Sequence, residues 1–241
     1  MLSTFEPYSG INLFVLSVEE RRQLKTLGLP DKRTTTIVLQ AGATLSFLGT
    51  VGLTLLQGAV TLYGTTLYPS TIQHSIFAPR SYPVATITGG DNSSTHPLLS
   101  EATWLPKKLG ENVTPDHAVF LLQDLDCGIE GLGQVCKTFA NVFEMDSDYQ
   151  GVDFGLTQFQ PVGKFHFPFS SSSPTQSQQI RQGSVHLSPY VQPLSWATTT
   201  TELCDFYDSV YGVPPVVLVE GARNVGKSMF CRTLLNNFLN R

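Results

Sequence analysis

Between Arg33 and Arg80 the chain contains no Asp, Glu, Lys or Arg. A charge-free segment of this length belongs in a protein core or in a membrane, since charged side chains are rare in both places. A membrane-spanning helix needs about 20 nearly continuous apolar residues, whereas VGLTLLQGAVTLYGTTLYP interleaves Thr, Gln and Gly with Val and Leu. We therefore favour short strands and turns over a membrane helix, and we expect no membrane partner.

The turn residues between these apolar runs fall at short, fairly even spacing, which is typical of an antiparallel sandwich or barrel. The expected strands are Thr35–Gln40, Ala43–Phe47, Val51–Leu56, Ala59–Tyr63, Pro83–Thr88 and the run HAVFLLQDL from His117. The predicted fold is a mainly β amino-terminal domain, sandwich-like or barrel-like, over residues 1–190.

Helical and loop segments are predicted around these strands. The spacing of Ser17 and Glu20 matches a capping box at the start of a short helix. The stretch from Tyr149 to Val191 is loop-like, and residues 89–116 and 168–188 are predicted to be mobile loops. The side chains expected to dock part of the first loop are Trp104, Leu105 and Leu109.

Residues 191–241 have a different pattern, which predicts helix, strand and helix in turn. The run PVVLVE is apolar and β-branched, as in a buried parallel strand, and the flanking segments have helical periodicity. The residues on the predicted helix faces are Trp196, Leu203, Phe206 and Val210, and then Met229, Phe230, Leu234, Leu235 and Phe238. We interpret 191–241 as the start of an α/β domain with a phosphate-binding loop (P-loop).

The eight residues GARNVGKS between that strand and its helix match the P-loop pattern G-x-x-x-x-G-K-[ST]. Phosphate oxygens need several inward-pointing N–H donors, and glycines permit the tight backbone that supplies them. We predict Lys227 to be the catalytic point charge on the phosphates and Ser228 to be a Mg²⁺ ligand. The expected cofactor-binding residues are Gly221, Ala222, Arg223, Asn224, Val225, Gly226, Lys227 and Ser228. A purely structural glycine turn is the alternative interpretation.

Overall composition gives no argument for nucleic-acid binding. Charged residues make up 14% of the chain and the net charge is −4, so any RNA contact would need a local basic patch. The acids cluster between Asp116 and Asp153. A solvated acidic face is favoured there over a metal site, since no ligand spacing typical of a metal is present.

Two patterns together resemble the polynucleotide 5′-hydroxyl kinases of the Clp/Grc type. In the β domain, LLQGAVTLYGTTLYP followed by YPVATI is similar to that family's pattern at Gly58, Gly64 and Leu67. The matching P-loop positions are Gly221, Asn224, Gly226, Lys227 and Ser228. The lead FEPYSGINLFVLS is more similar to the nucleolar, ribosomal-RNA branch than to the messenger-RNA cleavage-factor branch. The resemblance covers roughly residues 5–88, 117–170 and 190–241.

This resemblance implies an enzyme that uses ATP and Mg²⁺ to phosphorylate 5′-hydroxyl ends of RNA in a ribosomal-RNA precursor. It also implies a spacer-cleaving endonuclease partner and a location in the nucleus and nucleolus. In this family the second Mg²⁺-binding acid, the base and the lid follow the P-loop helix. We therefore expect the chain to be an amino-terminal fragment that is inactive alone.

Other functions are kept as alternatives. One is a non-catalytic module that docks a partner, and another is an unrelated P-loop NTPase. Within the same kinase family, the messenger-RNA 3′-end-processing and tRNA-splicing branches are further alternatives.

Overall fold

The structure is a computed structural model of the 241-residue chain. It describes residues 3–80, 83–90, 104–110, 113–129, 132–137, 142–143, 151–162, 190, 192–209, 216–223 and 225–239. The strands are β1 (Ser3–Thr4), β2 (Leu13–Val15), β3 (Thr34–Leu39), β4 (Ala43–Gln57), β5 (Val60–Leu62), β6 (Thr65–Leu67), β7 (His74–Ala78), β8 (Ala85–Gly89), β9 (Ala118–Asp124) and β10 (Phe159–Val162). The helices are α1 (Val18–Gln23), α2 (Leu105–Leu109), α3 (Leu132–Val135), α4 (Leu194–Ser209) and α5 (Lys227–Leu239), and a 3₁₀ helix spans Leu24–Leu27. Within these ranges, no helix is long and apolar enough to cross a membrane.

The central strand is β4, which has 15 residues. Its first part lies between β8 and β10, and its second part lies between β7 and β9, all of them antiparallel to it. The strands follow the order β2-β3-β9-β4-β8-β5-β6, and β1, β7 and β10 also pair with β4. Only β1 pairs with β4 in parallel. The prediction of a mainly β, antiparallel domain is therefore confirmed.

The prediction that β4 is two strands separated by a turn is wrong. Gly49, at φ 111°, lies inside the strand, where it is the first residue that pairs with β7 after the part that pairs with β8. At Gly52 an added Cβ would lie 2.5 Å from Cδ of Gln73, so this glycine permits a close approach of a side chain to the backbone. Both glycines therefore lie within one continuous strand and do not end it.

Other strand predictions have mixed outcomes. The strands observed as β3, β5, β8 and β9 agree with prediction to within two residues. The short strands β1, β2, β6 and β7 were not predicted, because two to five residues carry too little periodicity. The loop-like interpretation from Tyr149 to Val191 is wrong at β10, where Phe159 stacks on Phe47 with ring centroids 4.9 Å apart. Residues 163–189, including the predicted loop 168–188, lie outside the described part of the chain.

The β domain has two clusters of buried apolar side chains. The larger cluster includes Phe47, Leu53, Ile87, Phe120 and Leu122. The smaller cluster lies where residues such as Val38 and Leu121 of β3 and β9 meet the 3₁₀ helix and α2. The alternation along β9, whose successive side chains enter different clusters, explains why this strand is apolar throughout.

The predicted helix start at Ser17 is confirmed. Oγ of Ser17 accepts a hydrogen bond from the Glu20 N–H at 3.3 Å, and the Ser17 N–H donates to Oε2 of Glu20 at 2.7 Å. This capping box fixes the start of α1. The expectation that part of loop 89–116 docks on the core is confirmed as well, because Leu105 and Leu109 of α2 are fully buried in the smaller cluster.

Helices α4 and α5 lie side by side and run in the same direction. The rings of Trp196 and Phe230, near the helix starts, have centroids 5.4 Å apart, and those of Tyr207 and Phe238, near the ends, are 5.5 Å apart. The predicted face of α4 is wrong at Phe206, which is 64% exposed. Thr200 and Cys204 are the buried residues of this helix instead, and Val210 lies outside the described residues.

Candidate functional site

The segment before the P-loop is not a strand. Val216 is 96% exposed and Leu218 is 78% exposed, and residues 216–220 pair with none of the described strands. The prediction of a buried parallel strand is therefore wrong for this structure. The physical reason is pairing, because an apolar run becomes a buried strand only where neighbouring strands satisfy its backbone groups.

The loop itself curls tightly before α5 begins at Lys227. Gly221 has φ 152° and Gly226 has φ 86°, both in the region that favours glycine. The N–H groups of Met229 and Phe230 both donate to the Gly226 carbonyl at 3.0 Å. The first N–H groups of a helix have no partner within it, so this end of α5 supplies donors and a positive dipole for an anion.

Lys227 folds back over the loop. Its Nζ donates to the Gly221 carbonyl at 3.0 Å and to the Ala222 carbonyl at 2.5 Å. The ammonium charge therefore lies within the curve of the loop, as expected of a phosphate-binding lysine. Arg223 and Val225 are exposed beside it, and Asn224 lies outside the described residues.

Ser228 is exposed on the first turn of α5, so its hydroxyl can reach a cation. Mg²⁺ bound together with a nucleotide takes few protein ligands and completes its shell with phosphate oxygens and water. Over the described ranges, no group of three or more His, Cys, Asp or Glu side chains could hold a metal ion. The loop thus fits a nucleotide-bound Mg²⁺ through one hydroxyl and does not form a metal centre of its own.

Two of the acids from Asp116 to Asp153 accept hydrogen bonds from nearby loop residues. The carboxylate of Asp124 accepts from the Thr157 N–H at 2.8 Å and from its hydroxyl at 2.6 Å. Asp153 accepts from the Gly155 N–H at 2.7 Å. These bonds give the two carboxylates a structural role. The interpretation from sequence, a solvated acidic face, did not include this role.

Helix α4 closes the back of the loop. A Cβ added at Gly226 would lie 2.9 Å from the Trp196 ring, so the indole packs directly on the loop backbone. The sequence placed Trp196 on an apolar face but did not predict this contact, because no local pattern links a tryptophan to a glycine thirty residues further along the chain.

Helix α5 is attached to the β domain by polar contacts. The hydroxyls of Thr233 and Tyr190 are 2.8 Å apart, and Nδ2 of Asn237 donates to the Gly64 carbonyl at 3.3 Å. The guanidinium of Arg232 lies 5.6 Å from the centre of the Tyr63 ring, within range of a cation–π contact. The P-loop helix is therefore seated on the turn between β5 and β6.

A cavity of about 440 Å³ opens beside this contact, between β6, β7 and α5. Arg232 is the one charged side chain among its described lining residues. Thr65, 5% exposed, also lines it, and its hydroxyl oxygen has no hydrogen-bond partner among the residues described. The described lining thus offers a ligand one orphan hydroxyl and one guanidinium that forms no salt bridge in the described structure.

Burial shifts the pKa of two titratable groups that line this cavity. It raises the pKa of the Tyr63 hydroxyl, although the Arg232 charge and hydrogen bond act in the opposite direction. It lowers the pKa of His74 because desolvation disfavours the charged imidazolium. Sequence reasoning did not identify Tyr63, Thr65, His74 or Arg232 as site residues, because their proximity depends on how α5 packs against the sheet.

The fold defines a class of protein built on a mainly β, antiparallel domain, which here is followed by a glycine loop that matches the P-loop pattern. Residues 3–132 match the family model described as "Polynucleotide 5′-hydroxyl-kinase NOL9, N-terminal domain", a cupin-type domain. This match spans more than half of the chain, so the chain belongs to that family. The resemblance to Clp/Grc-type kinases, found from Gly58, Gly64 and the P-loop, is thereby confirmed.

Curated relatives agree with the family. The chain is 29% identical over 208 residues to "Polynucleotide 5′-hydroxyl-kinase GRC3" of Cryptococcus neoformans strain JEC21, which covers 85% of this chain and 24% of the relative. It is 26% identical over 227 residues to "Polynucleotide 5′-hydroxyl-kinase NOL9" of Danio rerio, covering 87% of this chain and 30% of the relative. The chain thus spans about a quarter to a third of the length of these curated relatives.

Proposed function

We propose that this chain supplies the cupin-type domain and the ATP-binding loop of a polynucleotide 5′-hydroxyl kinase that acts on RNA ends in ribosomal-RNA precursor processing. The observation that carries the proposal is Lys227, whose Nζ lies in the curve of a glycine loop at the start of α5. The relatives bear the name of such a kinase, and our proposal includes the ribosomal-RNA substrate and the location in the nucleus and nucleolus that the family resemblance implies.

Each residue of the loop has a role that follows from its position. Amides at the start of α5 bind phosphate oxygens, and Lys227 compensates the negative charge. Gly221 and Gly226 give the backbone its tight curve, and the Ser228 hydroxyl holds the cation. When bound, ATP and Mg²⁺ supply the transferred phosphoryl group and its charge stabilisation.

A docking function for a protein partner is a second candidate. Tyr8, Ile11, Val15 and Val18 are each 44–54% exposed in the lead segment and α1, and exposed apolar residues that are close in the chain are typical of a protein contact. The spacer-cleaving endonuclease implied by the family is the partner we propose for this surface. The two functions are compatible in one protein.

Replacing the matching segment of the Cryptococcus kinase with this chain provides the direct test. We expect the chimera to transfer the γ-phosphate of ATP to a 5′-hydroxyl RNA oligonucleotide. The Lys227→Ala chimera should lose about 100-fold or more of this activity, as when a charge-stabilising donor is removed. Lys25→Ala, which changes an exposed lysine of the 3₁₀ helix, is the matched control. Equal activity in the two variants would refute the kinase proposal.

The separate chain gives a further expectation. Residues 216–220 pair with none of the described strands, so within the described structure no neighbouring strand places a second Mg²⁺-binding carboxylate beside the loop. We therefore expect the 241-residue chain by itself not to phosphorylate RNA. Labelling of 5′-hydroxyl RNA by the purified chain, absent in its Lys227→Ala variant, would contradict this.

A further inference from the structure

Two stripes of side chains hold α5. Met229, Thr233 and Asn237 follow one another at four-residue spacing and contact the β domain. Phe230 and Phe238 lie on the adjacent stripe and pack against α4. Residues at i, i+4 and i+8 lie on the same side of a helix, so each stripe serves one neighbour.

The β-domain stripe rests on the turn between β5 and β6. Tyr63, at φ 48°, and Gly64, at φ 80°, both have left-handed backbones, as in the tight turn of a two-residue hairpin. The Gly64 carbonyl accepts from Asn237, and the Tyr63 ring lies under Arg232. This turn therefore sets the height and angle of the P-loop helix above the sheet.

Gly64 fits this contact because it has no side chain. An added Cβ would lie 2.7 Å from Cγ2 of Thr233 and 2.3 Å from Oε1 of Gln192. The glutamine is a flexible side chain whose end can move away. The threonine is fully buried and β-branched on a helix, so its methyl group has little rotamer freedom.

We propose that Gly64 and Thr233 are positioning residues for phosphate binding. The turn of the β domain holds α5 so that the first-turn amides and Lys227 converge on one point. A side chain at Gly64 would push α5 away from the turn and thereby weaken nucleotide binding at the start of the helix. This inference rests on the proposed function, since it requires that the loop binds ATP.

The experiment compares ATP dissociation constants and thermal unfolding of the 241-residue chain with those of four variants. Gly64→Ala should weaken ATP binding about tenfold or more. Gly28→Ala is the control, because Gly28 has a similar φ of 74° but no atom within 4 Å of an added Cβ. Both variants strain a left-handed backbone, so unfolding temperatures should fall by similar amounts, whereas ATP affinity should fall in Gly64→Ala alone.

A rescue variant separates positioning from general damage. Thr233→Ser keeps the hydroxyl that meets Tyr190 but removes the methyl group that a Cβ at Gly64 would strike. The double variant Gly64→Ala/Thr233→Ser should therefore recover at least half of the change in the logarithm of the ATP dissociation constant. Thr233→Ser alone should have an ATP dissociation constant within twofold of that of the unaltered chain. Inorganic triphosphate should follow the same order, since the effect acts on the phosphate loop.

The outcomes are distinguishable. Equal ATP affinity in Gly64→Ala and Gly28→Ala, or no recovery in the double variant, would overturn the positioning role while leaving ATP binding established. No ATP binding by the unaltered chain would overturn the proposed function and this inference together.

Discussion

Two apolar runs with similar composition have opposite environments in this protein. Val51–Gln57 of β4 pairs with β9, and its first three residues also pair with β7. Val51, Leu53 and Leu55 are fully buried. The run at residues 216–220 pairs with no described strand, and Val216 is almost completely exposed. The comparison shows that β-branched composition favours a strand but that backbone partners decide whether the strand forms.

The largest expected effect is on the free energy of unfolding, which substitutions in the two regions should change by very different amounts. Phe47→Ala in the buried part of β4 should lower the free energy of unfolding by about 3–5 kcal/mol, because it removes a fully buried ring and leaves a cavity. Leu218→Ala should change it by less than about 0.5 kcal/mol, as for an exposed residue. Urea denaturation followed by circular dichroism measures both. A cost above 2 kcal/mol for Leu218→Ala would show that this run is packed after all.

The same contrast explains what sequence reasoning could predict. β3 and β9 were found because each is a single apolar run whose neighbours in the sheet are supplied by the described chain. β4 was split in two because Gly49 and Gly52 look like turn residues, and only the paired strands show that they lie within one strand. Local patterns therefore predict a strand well when it contains no glycine. A glycine inside a strand looks like a turn residue until the strands that pair with it are known.

The candidate site divides in the same way. The loop from Gly221 to Ser228 is a contiguous motif whose residue types follow from phosphate chemistry, so the sequence alone is enough to predict it as a site. Thr65, Arg232 and the Tyr63–Gly64 turn are brought together from distant parts of the chain, and none belongs to a motif by itself. Thr233 and Asn237 were missed on α5 because they are polar, although they occupy the stripe that faces the β domain.

A smaller effect is expected at the helix starts, where α1 and α5 can be compared. The start of α1 is occupied by a capping box within the chain, whereas the start of α5 follows a glycine loop. Ser17→Ala should lower the free energy of unfolding by about 1 kcal/mol, because the Glu20 amide loses its acceptor. Thermal unfolding measures the change, with Ser17→Asp as the control that keeps a side-chain acceptor. Equal losses in the two variants would show that the cap does not contribute.

The smallest effect concerns the charge at that same cap. Burial raises the pKa of the Glu20 carboxyl, but hydrogen bonds from Lys108 and the Ser17 N–H, with the Lys108 charge, more than offset this, and the pKa lies below its ordinary value of about 4.5. A lowered folded-state pKa contributes stability above the unfolded-state value, and this contribution is lost as the pH falls through the folded-state pKa.

The stability difference between the unaltered chain and Glu20→Gln should therefore be constant near pH 7 and shrink as the pH falls below about 4.5. It should be small throughout, because the Glu20–Lys108 ion pair is partly exposed, with 24% and 26% of the side chains accessible. Glu19→Gln changes an exposed neighbour and serves as the control. A difference that is independent of pH would mean that the ion pair between Glu20 and α2 does not stabilise the fold. Glu20 would then act at the cap through hydrogen bonding alone, which a glutamine also provides.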